Sequence, residues 1–184
     1  VLRALPHNSV NLSQTTSQSQ IGYYLASTTD DPSSSLGQGP LQSPSVFNFF
    51  RPGYTPPQSV TASKGLVAPE MQITSETSVM GYANFMAFIL KDGWGEWHGA
   101  PVARHDVQFD HSSFLSLANR PDALLNELGQ RLLGQPLPEA RQLQAVTALE
   151  SIGDSATLTN AQRLSRVHAA ALLITLSPEF IIQR

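Results

Sequence analysis

The sequence predicts a mainly α-helical protein: an antiparallel helical bundle with a long irregular N-terminal arm and a Pro/aromatic-rich loop. Apolar residues recur at helical spacing through most of residues 68–184, which is typical of amphipathic helices that share one core. A proline or a capping residue begins each of these segments, and glycine follows three of them. Residues 1–67 lack this repeat and are rich in serine, threonine, glutamine and proline. We therefore expect an irregular arm over residues 1–67 and a helical bundle over residues 68–184.

The arm contains the Pro/aromatic-rich loop, residues 43–57, in which four of fifteen residues are proline and four are aromatic. Each proline restricts φ and removes a hydrogen-bond donor, so the loop is predicted to be rigid. Its aromatic side chains favour a pocket or a core that covers them. The chain begins at Val1 rather than Met, and we expect it to be the C-terminal fragment of a longer protein. The arm is then expected to pack on the bundle or on a missing N-terminal half.

The first helix is predicted to begin at Pro69-Glu70, because proline suits the first turn and an acid suits the positive end of a helix. Apolar residues at helical spacing continue it to Leu90, and Gly93 is a suitable C-terminal cap. A glycine-rich loop over residues 93–99 is predicted to follow, and then a short helix around residues 113–118.

Prolines also begin the next two predicted helices. Pro121 precedes a leucine-rich segment that ends at Gly134, and Pro138 precedes a segment that ends at Gly153. The tetrapeptide Thr159–Gln162 is a capping box, which predicts the start of another helix. A short helical turn is expected near the end of the chain. Four or five helices joined by short connections favour an antiparallel bundle.

Composition excludes several classes of function. Only 14% of the residues are charged, which is well below the roughly 25% usual for soluble domains. The net charge is −3 and no basic stripe is present, so we expect no nucleic-acid partner. The absence of cysteine excludes disulfides, thiol catalysis and thiolate metal sites. No apolar run approaches the ~20 residues of a membrane-spanning helix, so no transmembrane segment is expected.

Histidines and carboxylates are concentrated in the predicted glycine-rich loop and after it. The candidate metal ligands are His98, His105, Asp106, Asp110 and His111. Imidazole and carboxylate groups suit zinc, iron or manganese, so these residues are candidates for a site that binds a divalent metal. Their spacing matches no established zinc motif. The alternative, which we favour, is a polar loop between two helices with tryptophans at the end of the bundle.

Trp94 and Trp97 are candidates for ligand binding, together with Glu96 and Tyr54. Aromatic rings with neighbouring acids suit a glycan, because the rings cover the apolar face of a sugar and the acids accept hydrogen bonds from its hydroxyls. The alternative is that the tryptophans are anchors in the core or in an interface. We favour the anchors.

Arg51 and His168 each have a functional and a structural interpretation. Arg51 lies between Phe50 and Pro52, so the stiff loop can present its guanidinium to a carboxylate or a phosphate. The structural interpretation, which we favour, is that Arg51 makes a bond that holds the loop. His168 lies in an apolar helical segment and is interpreted as a core histidine whose hydrogen bonds are satisfied.

Three segments resemble the C-terminal part of a bacterial family known as domain of unknown function 1800. They are Pro44–Tyr54, Gly65–Glu70 and Ser177–Arg184. The resemblance implies a mostly helical, secreted protein, and hence a periplasmic or extracellular location. It also implies a partner, because members of this family are often encoded beside a protein with a phosphatase-like fold. The family has no established activity, so the resemblance implies no mechanism.

Two functions follow from these observations. The first is a binding or scaffolding module that acts with a protein partner in the envelope or outside the cell. The alternative is part of an enzyme, a hydrolase or a metal-dependent oxidoreductase, whose site is completed by a missing N-terminal half. An enzyme is expected to gather Arg51, Glu70 or the histidine cluster in a concave pocket. A scaffold is expected to use these groups singly and to expose apolar side chains.

Overall fold

A computed structural model describes residues 7–9, 29–39, 41–98 and 104–181 of the chain. The protein is mainly helical in these residues, as the sequence predicts. The helices are α1 (Val60–Ser63), α2 (Glu76–Asp92), α3 (Ser112–Leu115), α4 (Pro121–Leu133), α5 (Glu139–Glu150), α6 (Asn160–Thr175) and α7 (Pro178–Ile181). A 3-10 helix covers Pro69–Ile73, and the strands are β1 (His7–Ser9), β2 (Trp94–His98) and β3 (Arg104–Phe109).

Contacts between residues divide the chain into two compact units. The loop unit comprises the described residues between positions 27 and 85, and the bundle unit comprises β1 and the described residues from 86 onward. Helix α2 contributes residues to both units. The boundary predicted between residues 67 and 68 rests on composition and stays a prediction.

The core of the bundle unit lies where α4, α5 and α6 pack together. Helix α4 begins with Pro121 in its first turn and ends before Gly134, whose φ of 73° is a left-handed conformation that suits glycine. Leucines on one face of α4 meet α5 and α6 and are fully buried. The buried core residues include Leu124, Leu125, Leu128, Leu149, Val167, Ala170, Ala171 and Ile174.

Helix α6 begins as its capping box predicts. The Thr159 side chain accepts a hydrogen bond from the Gln162 backbone, and the Gln162 side chain accepts one from the Thr159 backbone at 2.9 Å. Helix α5 follows Pro138 as predicted, and α7 begins at Pro178. Sequence signals for the starts of α4, α5, α6 and α7 are therefore confirmed, whereas α5 ends at Glu150 rather than at the predicted Gly153, and α3 ends at Leu115 rather than at Ala118.

A small antiparallel sheet replaces part of the predicted glycine-rich loop. Strand β3 lies in the centre, with β1 on one side and β2 on the other. His7 pairs with Phe109 and Trp97 pairs with His105, and a bulge interrupts β2 between Trp94 and Trp97. Gly93 precedes β2 with a φ of 95°, and a Cβ at this position would overlap the carbonyl oxygen of Val107. The prediction of a loop over residues 93–99 is wrong at β2, because β2 forms an antiparallel pair with β3.

The loop unit is ordered by short helices and turns. Ser59 caps α1, because its hydroxyl accepts from the Ala62 backbone at 3.1 Å. The predicted helix from Pro69 is interrupted after Ile73, and α2 begins at Glu76. Ser75 and Ser78 cause this restart: each hydroxyl accepts a hydrogen bond from the other residue's backbone, at 3.1 Å and 2.7 Å. In the part of the chain that the structure describes, no helix combines the length and hydrophobicity needed to cross a membrane.

Candidate functional site

The Pro/aromatic-rich loop belongs to the loop unit, and its apolar side chains are only partly covered. Phe49, Phe50 and Tyr54 are half-buried, whereas Phe47 is 56% exposed and Val46 is 95% exposed. The loop therefore anchors three aromatic rings and leaves its tip in solvent. Such exposure is informative because large apolar side chains normally avoid water.

Hydrogen bonds hold this loop in one shape. The Ser45 hydroxyl accepts from the Phe47 backbone at 3.2 Å, and the Ser45 carbonyl accepts from Asn48 at 3.1 Å. The Tyr54 carbonyl accepts a hydrogen bond from the Ala68 backbone N–H at 2.8 Å. This bond connects the end of the loop to the segment before the 3-10 helix. The exposed tip is consequently ordered rather than loose.

Six large apolar side chains between residues 41 and 67 are exposed. They are Leu41, Val46, Phe47, Val60, Leu66 and Val67, and we call them the exposed apolar set. Leu41 is fully exposed at 105% of its reference area. A single exposed leucine or valine is ordinary on a protein surface, whereas a contiguous group of them is typical of an interaction site.

Arg51 holds the loop through its backbone. Its N–H donates to the Gln72 side chain at 2.7 Å, and the Arg51 carbonyl accepts from Tyr54 at 3.0 Å. The side chain of Arg51 is exposed. The loop is therefore braced at this residue, although the brace is the main chain and not the guanidinium. A ligand-binding role for the guanidinium and for Tyr54 stays a prediction.

The candidate site in the bundle unit lies where α2, β3 and α6 meet. His105 Nδ1 donates to the Gly95 carbonyl at 2.9 Å, and its ring packs edge-on against Phe88 at 5.4 Å between centroids. Trp94 is half-buried, and its Nε1 is buried with no hydrogen-bond partner in the described residues. The position of Trp94 fits an anchor better than an open platform for a sugar.

Asp110 and His111 follow β3 and make local bonds. Asp110 accepts a hydrogen bond from the Ser112 backbone at 2.9 Å, and hydrogen bonds from the Ser112 side chain and backbone lower the pKa of this carboxyl. His111 Nε2 donates to the carbonyl of Leu90 at the end of α2, at 3.0 Å. Burial lowers the pKa of His111. These two residues thus connect β3, α3 and α2.

The second histidine of this junction is His168 on α6. Its ring packs edge-on against His111 with 4.5 Å between centroids, and its Nε2 is buried without a hydrogen-bond partner in the described part of the chain. The expectation that the hydrogen bonds of His168 are satisfied is therefore wrong for its Nε2 atom. Burial lowers the pKa of His168 to about 4, and the neighbouring charge of His111 adds to this effect. A pKa so far below neutral makes His168 a poor general base at pH 7.

Acidification is expected to destabilise the bundle unit through His168. The folded protein holds this pKa near 4, below the usual 6.5, so the unfolded chain binds more protons between these pH values. The contribution of His168 to the free energy of unfolding is therefore fully present above pH ~6.5 and is lost as the pH falls toward ~4. Because the ring is only half-buried, solvent screening reduces the expected loss to about 1–2 kcal/mol.

Urea titrations at several pH values, followed by fluorescence, measure this loss. The variant His168→Phe is expected to flatten the pH dependence of the free energy of unfolding, although Lys91, Asp92 and His111 around it remain. If the free energy of unfolding falls equally steeply with pH in the wild type and in the variant between pH 6.5 and 4, the loss of stability is caused by groups other than His168.

No three histidine or carboxylate side chains converge on one point among the described residues. His105 and His111 each use a ring nitrogen on a backbone carbonyl instead. The side chains of Glu96, Trp97, His98 and Asp106 lie outside the described residues. The predicted metal site and the predicted glycan site accordingly stay predictions.

Arg166 is a buried residue that sequence reasoning missed. Its side chain is 0% exposed, and the guanidinium donates to the Ala118 carbonyl at 3.1 Å, to the Ser155 hydroxyl at 2.8 Å and to the Gly153 carbonyl. The sequence does contain a signal for the burial of Arg166. Arg166 lies four residues before Ala170 and therefore on the apolar face of α6. It connects α6 to the segment before α4 and to the segment after α5.

Comparisons with known proteins identify a family and no characterised relative. No curated protein and no solved structure matches the chain. The model of a family described as "Protein of unknown function (DUF1800)" matches residues 6–182, which is nearly the whole chain. The three segments Pro44–Tyr54, Gly65–Glu70 and Ser177–Arg184 are those that resembled this family in the sequence. The chain therefore belongs to the DUF1800 family.

Proposed function

We propose that this protein is a binding or scaffolding module that docks a protein partner in the bacterial envelope or outside the cell. The observation that carries the proposal is the exposed apolar set on an ordered loop unit. Folding leaves these six side chains in water, so the free energy of roughly 25 cal/mol that burial supplies for each Å² of apolar surface is not gained. A partner that covers them recovers this free energy.

The titratable groups support docking better than catalysis. Asp110 accepts a hydrogen bond from the Ser112 backbone, and His105 and His111 each donate to a backbone carbonyl. These groups do local structural work, which is the pattern expected of a scaffold. The enzyme alternative remains a prediction that involves residues outside the described part.

The partner that fits this proposal is the protein with a phosphatase-like fold that is often encoded beside members of the family. Genes that are neighbours commonly encode proteins that act together, and the secreted character implied by the resemblance gives both proteins one compartment. The apolar side chains are expected to act as the central anchors of the interface, where most of the binding energy of a complex is concentrated.

The double variant Val46→Ser/Phe47→Ser tests the proposal. Both side chains lie at the tip of the loop and are mostly in solvent, so the variant is expected to fold. Its affinity for the phosphatase-like partner is expected to fall about tenfold or more, which corresponds to about 1.4 kcal/mol of lost binding energy. Isothermal titration calorimetry with the full-length proteins measures this change.

Leu143→Ser is the matched control, because Leu143 is 69% exposed but belongs to α5 in the bundle unit. This variant is expected to bind the partner like the wild type. Equal affinity of all three proteins for the partner would contradict docking through the loop unit. Failure of the wild type to bind would contradict the choice of partner.

A further inference from the structure

We draw no further inference here: the strongest candidate, the edge-packed pair of His111 and His168 where α2, β3 and α6 meet, brings two imidazoles together with no third ligand converging on them in the described residues, and its response to acid rests on lowered pKa values alone.

Discussion

Replacing Arg166 by alanine is expected to lower the free energy of unfolding by about 3–5 kcal/mol. The guanidinium is completely buried and donates to two carbonyls and a hydroxyl that belong to separate segments. Its removal leaves these acceptors without a donor and opens a cavity in the packing of α6. No carboxylate is among the hydrogen-bond partners of Arg166 in the described residues, so the carbonyl dipoles must stabilise the charge.

Arg166→Met separates the two contributions. Methionine fills much of the volume but donates no hydrogen bond, so a smaller loss than for alanine is expected if the cavity dominates. An equal loss for both variants would assign the effect to the hydrogen bonds. Arg120→Ala is the surface control, because Arg120 is exposed, and it is expected to change stability by less than about 0.5 kcal/mol.

Urea titration followed by tryptophan fluorescence measures these changes. The chain contains two tryptophans, and both lie in β2 of the bundle unit, so the signal reports on the unit that contains Arg166. A stability of Arg166→Ala within the range of the surface control would show that the buried guanidinium contributes nothing net to the fold.

Gly81→Ala is expected to destabilise the loop unit by about 1–3 kcal/mol. In an exposed helix the same change would stabilise by roughly 1 kcal/mol, because alanine has the higher helix propensity. Gly81 is buried in α2, and a Cβ there would lie 2.8 Å and 2.9 Å from the carbonyl carbon and oxygen of Ser33 and would overlap the carbonyl of Pro32. The neighbours are backbone atoms, which cannot rotate away, so the clash exceeds the gain in propensity.

Amide hydrogen exchange over residues 76–85 measures this effect, because the loop unit contains no tryptophan. Asn84→Ala is the matched control, since Asn84 is exposed in the same helix. The amides of this variant are expected to exchange as slowly as those of the wild type, or more slowly, because alanine has the higher helix propensity. Slower exchange in Gly81→Ala than in the wild type would contradict the close approach of the 32–33 backbone to α2.

The elements that could be predicted are those with local causes. Pro121 and Gly134 bound α4, and the capping box bounds α6, because proline, glycine and threonine act on the backbone within a few residues. Strands β2 and β3 could not be predicted in this way. Strand β2 pairs with β3, and β3 pairs on its other side with β1, which is about one hundred residues away in sequence, so no local pattern encodes that last partner.

The candidate sites show the same difference between features with local causes and features that depend on distant residues. The residues of the Pro/aromatic-rich loop were recognisable from their composition, yet composition does not show which aromatic rings are covered and which side chains face water. The pairing of His111 with His168 across 57 positions, and the burial of Arg166 against Ala118, depend on how α6 packs on the segments before α4.

The sequence by itself determined the mainly helical class, the starts of α4, α5 and α6 and membership of the family, because each depends on short-range chemistry or on matching segments. Tertiary structure alone decided that six large apolar side chains between residues 41 and 67 lie in solvent, and that two histidines considered as candidate ligands donate to backbone carbonyls. The physical reason is that burial and hydrogen bonding are properties of neighbours in space, and most of these neighbours are distant in the chain.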